Sequence, residues 1–430
     1  MKAILSNRIY LDNLSAEDIG VLTTVLKYTL TKIVGSVKYV ETINNFTRVS
    51  PTICSIPSGR EDLIPAGYEI IDKRVTKPVE FPTFSGTLRP AQQEIYDKLE
   101  GSCLLNAPVS WGKTFAALAM AAKLGQKTLI VTHTTMLRDQ WIAEIDKVFG
   151  IEAGVIGSGK WNIEPIIVVG NVQSLTRKMD LLASEFGTVI LDEVHHVAAS
   201  TFSSVIDKCK AKYKIGLSGT LIRKDGKHVF FNDYFGFDTF RPEKENCMIP
   251  RVVVVESQVH LKAGAHWSNR VTELEVYNET YKHMVVDLAT NAAAKGYKVL
   301  VVASRVEFLK WAAENTPRSD CITGGIKSIE ERTAILNKVA TDEIDILYGT
   351  MSIFSEGISQ NNLSCIILAT PINNESLLTQ LIGRIVREVE GKKQPLIIDI
   401  NLKGPSTKSQ SNARLSHYLK AGYQVQILKK

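Results

Sequence analysis

The chain has 430 residues and a mass of 47.6 kDa, enough for two or three domains that each bury a core of their own. With 44% hydrophobic and 22% charged residues it is composed like an ordinary soluble globular protein, which sets aside disordered, collagen-like and low-complexity classes. A net charge of +6, from 51 basic and 45 acidic residues, is compatible with a polyanionic partner without demanding one.

The six cysteines (Cys54, Cys103, Cys209, Cys247, Cys321, Cys365) are widely spaced and form no Cys-x-x-Cys pair, so neither a zinc site nor a disulfide framework is expected. The N-terminus has no charged-then-apolar signal, and no apolar run approaches the roughly 18 residues of a membrane span. A reducing cytoplasm is the expected compartment.

Residues 1–80 are expected to form a small α+β module. Strand-like pieces at Ala3–Leu5 and Ser36–Ile43 flank an amphipathic helix over Ser15–Leu30, opened by Ser15 as cap and Asp18 as capping-box acid. Lys73–Thr87, with two prolines among Thr and Ser, reads as a linker. From Leu88 the pattern changes to strands alternating with helices. The runs Leu129–Thr132, Ile166–Val169, Val189–Leu191 and Ile215–Leu217 are continuous and β-branched, the signature of a parallel sheet covered on both faces. After the breaker-rich Arg241–Pro250 the rhythm resumes at Val299–Ala303, Asp345–Tyr348, Cys365–Ala369 and Leu396–Ile400. Residues 81–240 and 241–430 are therefore predicted to be two tandem doubly wound α/β domains behind the small module.

The chemistry begins at Leu104–Asn106, an apolar strand, followed by Ala107-Pro108-Val109-Ser110-Trp111-Gly112-Lys113-Thr114 and a helix over Phe115–Lys123. A loop between a strand and a helix N-terminus aims backbone N–H groups at an anion. Lys113 would reach the β/γ-phosphates of a nucleotide and Thr114 would help hold Mg²⁺. The strict P-loop pattern has Gly where Ala107 stands, and Gly-Lys-Thr alone arises often by chance, so its partners decide the reading. Asp192-Glu193-Val194-His195 supplies them, after the strand Thr188–Leu191. Solvated acids at a helix start would look similar. Downstream of a P-loop, however, Asp192 is suited to hold the metal through its water shell and Glu193 to polarise the attacking water. His195 and His196 lack the His-Glu-x-x-His spacing of a metal site, and His195 is read as a hydrogen-bonding link, through Gln380. Trp111 could stack on a nucleotide or pack between domains, and packing is favoured.

Lys113-Thr114 with Asp192-Glu193-Val194-His195 resembles the core of the superfamily 2 helicases, and further motifs of that family fall in order over about residues 88–400. Leu88-Arg89-Pro90-Ala91-Gln92 resembles the glutamine motif, which implies that Gln92, beside Arg89, reads adenine. Thr132–Trp141 resembles motif Ia and Gly170–Leu175 the small motif after it. Ser218-Gly219-Thr220 stands for Ser-Ala-Thr of motif III, and Arg223 with Asp225-Gly226 is similar to its tail in DNA-repair members. Leu300–Arg305 resembles motif IV. Thr323-Gly324-Gly325 with Glu331-Arg332 resembles motif IVa, and Thr350 through Ser355-Glu356-Gly357-Ile358 resembles motif V. Gln380-Leu381-Ile382-Gly383-Arg384-Ile385-Val386-Arg387 resembles motif VI. The resemblance implies two RecA-like domains, ATP and Mg²⁺ as cofactors, and Gly357 as a further nucleotide contact. It also implies that Gln380, Arg384 and Arg387 act in catalysis, the two arginines about one helical turn apart on a common face, supplying charge to the γ-phosphate. Nucleic-acid contacts are implied for Thr132, His133, Arg138, Gln173, Ser174, Arg305, Thr323, Gly324 and Thr350.

The expected activity is that of an ATP-driven DNA helicase or translocase working on forked or junction DNA. An RNA-dependent ATPase, or a duplex translocase that separates no strands, is the alternative. His195 in place of the last acid of a DEAD box, the short glutamine motif and the Ser-Gly-Thr…Arg…Asp-Gly run resemble DNA-acting members, including phage branch-migration helicases. A non-catalytic binding module would be expected to have lost Lys113, Glu193 or Arg387. Residues 1–80 carry ten basic and nine acidic residues, so branch recognition by the module follows from the resemblance rather than from charge. Asn401–Lys430 carries six basic residues and no acid, either a solvated end or a phosphate contact. A monomer without membrane attachment is favoured, in the host bacterial cytoplasm if phage-encoded.

Overall fold

The computed structural model describes residues 1–34, 37–194, 204–219, 230–245, 247–261, 266–326, 328–355 and 360–429, and the chain divides into two compact units, Met1–Lys244 and Glu245–Lys430.

The first unit opens with a five-stranded sheet in the spatial order Thr47–Arg48, Ile53–Pro57, Arg8–Asp12, Lys2–Leu5, Glu69–Asp72. Alternate residues Ala3, Leu5, Ile9, Leu11 and Ile56 point to one face, where Leu22 and Leu26 cover them. Ser15 caps the covering helix by accepting from Asp18 N, as expected, but the helix is Ala16–Val25 and not Ser15–Leu30. Leu26 closes it, and Lys27–Val34 turns into a strand paired antiparallel with Val37–Asn44. The run Tyr28-Thr29-Leu30-Thr31 is rich in β-formers, and a cross-strand partner outweighs the helical spacing of its apolar residues.

This module is fastened to the rest of the unit through Asp233, which is fully buried. Its carboxylate accepts from Tyr28 Oη at 2.8 Å, Asn45 Nδ2 at 2.7 Å and Arg60 at 3.2 Å, while its carbonyl accepts from Gly59 N. The segment read as a linker is an ordered strap. Val75 N donates to Lys210 O, Val79 N to Gly125 O and Ser85 N to Val148 O, and Phe84 packs on Phe115 and Phe149. Composition marks Lys73–Thr87 as polar and Pro-containing, but its backbone partners lie far away in sequence.

The main sheet of the first unit runs Lys160–Trp161, Gly154–Gly157, Ile167–Asn171, Thr128–Thr132, Thr188–Leu191, Tyr213–Ser218, Cys103–Asn106, Thr239–Phe240. It is parallel except for the edge pair Gly154–Gly157 with Lys160–Trp161. Leu104, Leu129, Val131, Val168, Val189 and Leu191 serve one face. Leu105, Ile130, Ile167, Val169, Ile190 and Leu217 serve the other. Each central strand is buried on both sides, which is why the runs are apolar without alternation. The loops leaving the carboxyl ends of the parallel strands all emerge on the same edge, and this positions the site.

The second unit repeats the plan with strands ordered Ser319–Ile322, Ile346–Thr350, Val299–Ala303, Cys365–Leu368, Leu396–Lys403, Arg251–His260, Gln424–Lys429, all pairs parallel among the described residues. The helix Pro405–Lys420 packs against it and carries one basic residue of the C-terminal stretch inward. Arg414 is buried, bonded to Asp399 at 2.8 Å and to Ile372 O at 3.0 Å, so it is a core ion pair and not a solvated or phosphate-facing charge.

Candidate nucleotide site and nucleic-acid edge

The strand Cys103–Asn106 ends in the loop 107–112, and the helix Lys113–Leu124 begins immediately after it. Ser110 (φ 69°) and Gly112 (φ 88°) are both left-handed, the kind of backbone turn that can bring successive N–H groups to face an anion. A Cβ on Gly112 would lie 2.8 Å from Gln92 Nε2, so any side chain there would displace the Gln92 amide in addition to straining the left-handed backbone. Ala107 is buried with its N–H on Ser218 O, and Pro108 and Val109 continue the loop between it and Ser110. Thr114 occupies the first turn of the helix.

The glutamine motif reaches this loop directly. Arg89 and Gln92 both donate to the carbonyl of Trp111, Gln92 from 3.2 Å, and Gln92 Oε1 accepts from Arg89 N at 3.0 Å. In this arrangement the buried Gln92 amide holds the phosphate loop. The Trp111 ring is core of the first unit, grouped with Ile95, Leu99 and Met120, with the Arg89 guanidinium 5.7 Å over it. Its ring is thus part of the core of the first unit, without the exposed face that stacking would use.

Asp192 and Glu193 leave the strand Thr188–Leu191, separated from Cys103–Asn106 only by Tyr213–Ser218, on the same edge. Glu193 is left-handed (φ 50°), a conformation that costs a side-chain-bearing residue roughly 1–2 kcal/mol and aims its carboxylate at the loop. Lys113 Nζ lies 3.8 Å from Glu193 Oε1 and donates to Ala107 O at 3.4 Å. Asp192 is only 6% exposed, and its Oδ2 accepts from Trp141 Nε1 at 2.8 Å. Burial raises its carboxyl to about 6 and the Glu193 charge adds to this, while the Trp141 donor and Lys113 pull the other way. Thr114 and Asp192 offer the hard oxygen donors that a hydrated Mg²⁺ takes, in keeping with an ion whose other ligands are phosphates and water. Trp141 closes the motif Ia segment, and nothing in the sequence pattern assigns it a task. A buried indole N–H needs an acceptor, and that need was the available signal.

The candidate nucleic-acid residues of the first unit cluster at the next strand ends. Thr132 is buried at the end of its strand, and Gln173 Nε2 donates to His133 O, joining motif Ia to the segment with Ser174. Arg138 is also buried. It donates to Ser158 Oγ and Asn171 Oδ1, each at 3.1 Å, and pairs with Asp139 at 2.8 Å. Its guanidinium is thus a strut that shapes the edge and is not presented on it.

In the second unit, Arg305, Thr323 and Thr350 follow or end adjacent parallel strands and share one sheet edge, with Gly324 exposed beside buried Thr323. Arg305 donates to the carbonyl and hydroxyl of Ser268, both at 2.7 Å. Glu275, unnoticed in the sequence, is buried in a π-helical turn and accepts from Ser304 N and Arg305 N. Burial raises its carboxyl to about 7, opposed by these donors and by Thr370.

Motif VI differs from expectation. The helix is Glu375–Gly383, with Gln380 buried on it, and it ends before both arginines. Arg384 closes it and donates to Phe354 O at 2.7 Å. Arg387 lies in an extended bridge to Cys247 and donates to Asn361 Oδ1 at 2.5 Å. The two do not share a helical face, because the chain extends after Ile385 and Met248 N pairs with Val386 O. Gly357, with Ser36, His195, His196, Thr220, Arg223, Asp225, Gly226, Glu356 and Ile358, lies outside the described residues.

Residues 85–223 match the family described as type III restriction enzyme, res subunit, and residues 280–388 match the helicase conserved C-terminal domain. The chain is 39% identical over 437 residues to a probable helicase of Escherichia phage T5, covering 99% of this chain and 96% of that one. It is 28% identical to a putative ATP-dependent RNA helicase of Acanthamoeba polyphaga mimivirus, over 81% of this chain and 71% of the relative. It is 25% identical to the ATP-dependent DNA helicase uvsW of Enterobacteria phage T4, over 74% of this chain and 70% of the relative. In fold it is similar to S. cerevisiae Dbp5 bound to RNA and ADP BeF3, with a TM-score of 0.57 at 9% identity, over 79% of this chain and 89% of that chain. The chain belongs to the superfamily 2 helicases, and its two helicase domains imply the use of ATP. Among the described residues no helix is long and apolar enough to cross a membrane.

Proposed function

We propose that this helicase is an ATP-driven motor on DNA that unwinds or branch-migrates forked and junction substrates. The observation that supports the motor most directly is the convergence of Lys113, Glu193 and Trp141-held Asp192 at one sheet edge beside a left-handed phosphate loop. Lys113 binds the β/γ-phosphates, Glu193 orients the water, and Thr114 and Asp192 hold Mg²⁺, which when bound neutralises charge on the phosphates. Arg384 and Arg387 act on the transition state. Arg305, Gly324, His133, Gln173 and Ser174 meet a nucleic-acid backbone.

The choice of DNA is supported by the similarity to uvsW and by the resemblance of Ser218-Gly219 and its downstream run to DNA-repair members. Residues 1–80, fixed to the first lobe through Asp233, serve in this reading as a branch-recognition element carried rigidly on that lobe. Removing them would strip Tyr28, Asn45 and Arg60 from a buried carboxylate, so the test uses the full chain. A labelled four-way junction and a fork are incubated with enzyme, ATP and Mg²⁺. Conversion to separated or migrated products, lost in Lys113→Ala, is expected. Opening of an RNA duplex with both DNA substrates intact would favour the RNA-helicase alternative. ATP turnover on linear duplex without product would favour a duplex translocase.

A further inference from the structure

We propose that the turn Gly157–Trp161, together with Lys178, forms an additional contact for a single nucleic-acid strand, alongside the edge built by motif Ia and Gly170–Leu175. The proposal rests on the reading of the chain as a nucleic-acid motor. Gly154–Gly157 ends at the same strand edge as Asn171, and the chain then reverses through three left-handed residues, Gly157, Ser158 and Gly159. The reversal is tight and firmly seated. A Cβ on Gly157 would come within 2.8 Å of Asn171 Oδ1, and Arg138 donates to both Ser158 and Asn171. Lys160 and Trp161 are returned antiparallel on Gly157 and Ile156.

Trp161 is 39% exposed and, among the described residues, is grouped with neither apolar cluster that covers this sheet. Lys178 Nζ stands 4.3 Å from its centroid, and Lys160 is exposed beside it. The nearby acid Asp180 is held by Lys208 at 2.9 Å. An exposed indole with one lysine over a face of its ring and another beside it, mounted on a tight turn next to a candidate backbone-binding edge, has the chemistry of a platform on which a base stacks while the lysines meet its phosphates. Neither Lys160-Trp161 nor Lys178 belongs to a helicase motif, and they meet only through the fold.

The test uses full-length protein and a fluorescein-labelled oligothymidylate, with anisotropy read over a salt series. Trp161→Ala is expected to weaken binding about tenfold, and Trp161→Phe, which keeps a stacking ring, by no more than about twofold. Lys160→Ala with Lys178→Ala is expected to make the slope of log affinity against log salt shallower by about 1.4, from two lost single-strand phosphate contacts. ATPase without nucleic acid stays unchanged in all three. Wild-type affinity and slope in every variant, with wild type itself binding tightly, would overturn the platform and leave the motor reading intact. No binding by wild type to DNA or RNA would overturn the motor reading, and the platform with it.

Discussion

Trp141 Nε1 donates to Asp192 Oδ2 at 2.8 Å, and both side chains are buried, at 1% and 6% exposure. The bond ties the helix Thr135–Phe149, which carries most of motif Ia, to the carboxylate at the candidate nucleotide site. It also favours the ionised form of an acid that burial pushes the other way. Trp141→Phe keeps an aromatic side chain, though a smaller one, and removes the donor, at a cost of about 1–3 kcal/mol for a buried carboxylate left short of a partner. The expected result is a Mg²⁺ titration of ATPase displaced to higher concentration by about tenfold, with the fold retained. An unshifted titration would show that Asp192 does not depend on the indole.

The motor residues are expected to separate by kinetic signature. Lys113→Ala weakens nucleotide binding and turnover together. Glu193→Gln retains nucleotide but lowers turnover by orders of magnitude. Arg387→Ala keeps ATP affinity within several-fold and loses turnover by about a hundredfold or more, as a group acting on the transition state does. Nucleotide titrations alongside single-turnover hydrolysis distinguish them, and normal turnover in Arg387→Ala would remove it from the mechanism.

Gly219 stands where the family motif has alanine. An added Cβ there meets Lys113 Nζ and Val109 Cγ2 only at 3.5 Å, ordinary contact. Gly219→Ala is therefore expected to hold ATPase within about twofold of wild type. A severe loss would mean that the loop uses backbone freedom during the cycle.

Lys214 is 3% exposed and donates to Ser58 Oγ at 2.7 Å. Burial lowers it from 10.5 to about 8, with Cys209 and Asp207 opposing. Between these pH values the unfolded chain binds the proton that the folded chain has released. Stability therefore rises with pH across that window, by at most about 3 kcal/mol, and falls back as pH drops through about 8. Denaturant melts across the window should show this rise in wild type and a flatter line in Lys214→Met. Parallel lines would contradict the assignment.

The central strands were legible because each is buried on both faces, so a run such as Val189–Leu191 carries no competing polar period. The phosphate loop and the acids after Thr188–Leu191 were legible because a strand end fixes where they emerge. What escaped depends on distant partners. The helix over Ser15–Leu30 lost its last turn to a strand pairing with Val37–Asn44. The polar strap Lys73–Thr87 is held by backbone groups of Lys210, Gly125 and Val148. Trp141 and Asp192 are neighbours only after two strands and their helices have folded, and Arg387 leaves its helix for a bridge to Cys247.

Steady-state ATPase, read without nucleic acid and with single-stranded DNA, linear duplex, a four-way junction and RNA, decides whether this chain is a motor on branched DNA, with Lys113→Ala as the inactive control. Strong stimulation by the junction above linear duplex and RNA is the expected result. Stimulation by RNA alone would contradict the DNA reading, and no stimulation by any nucleic acid would contradict the motor itself.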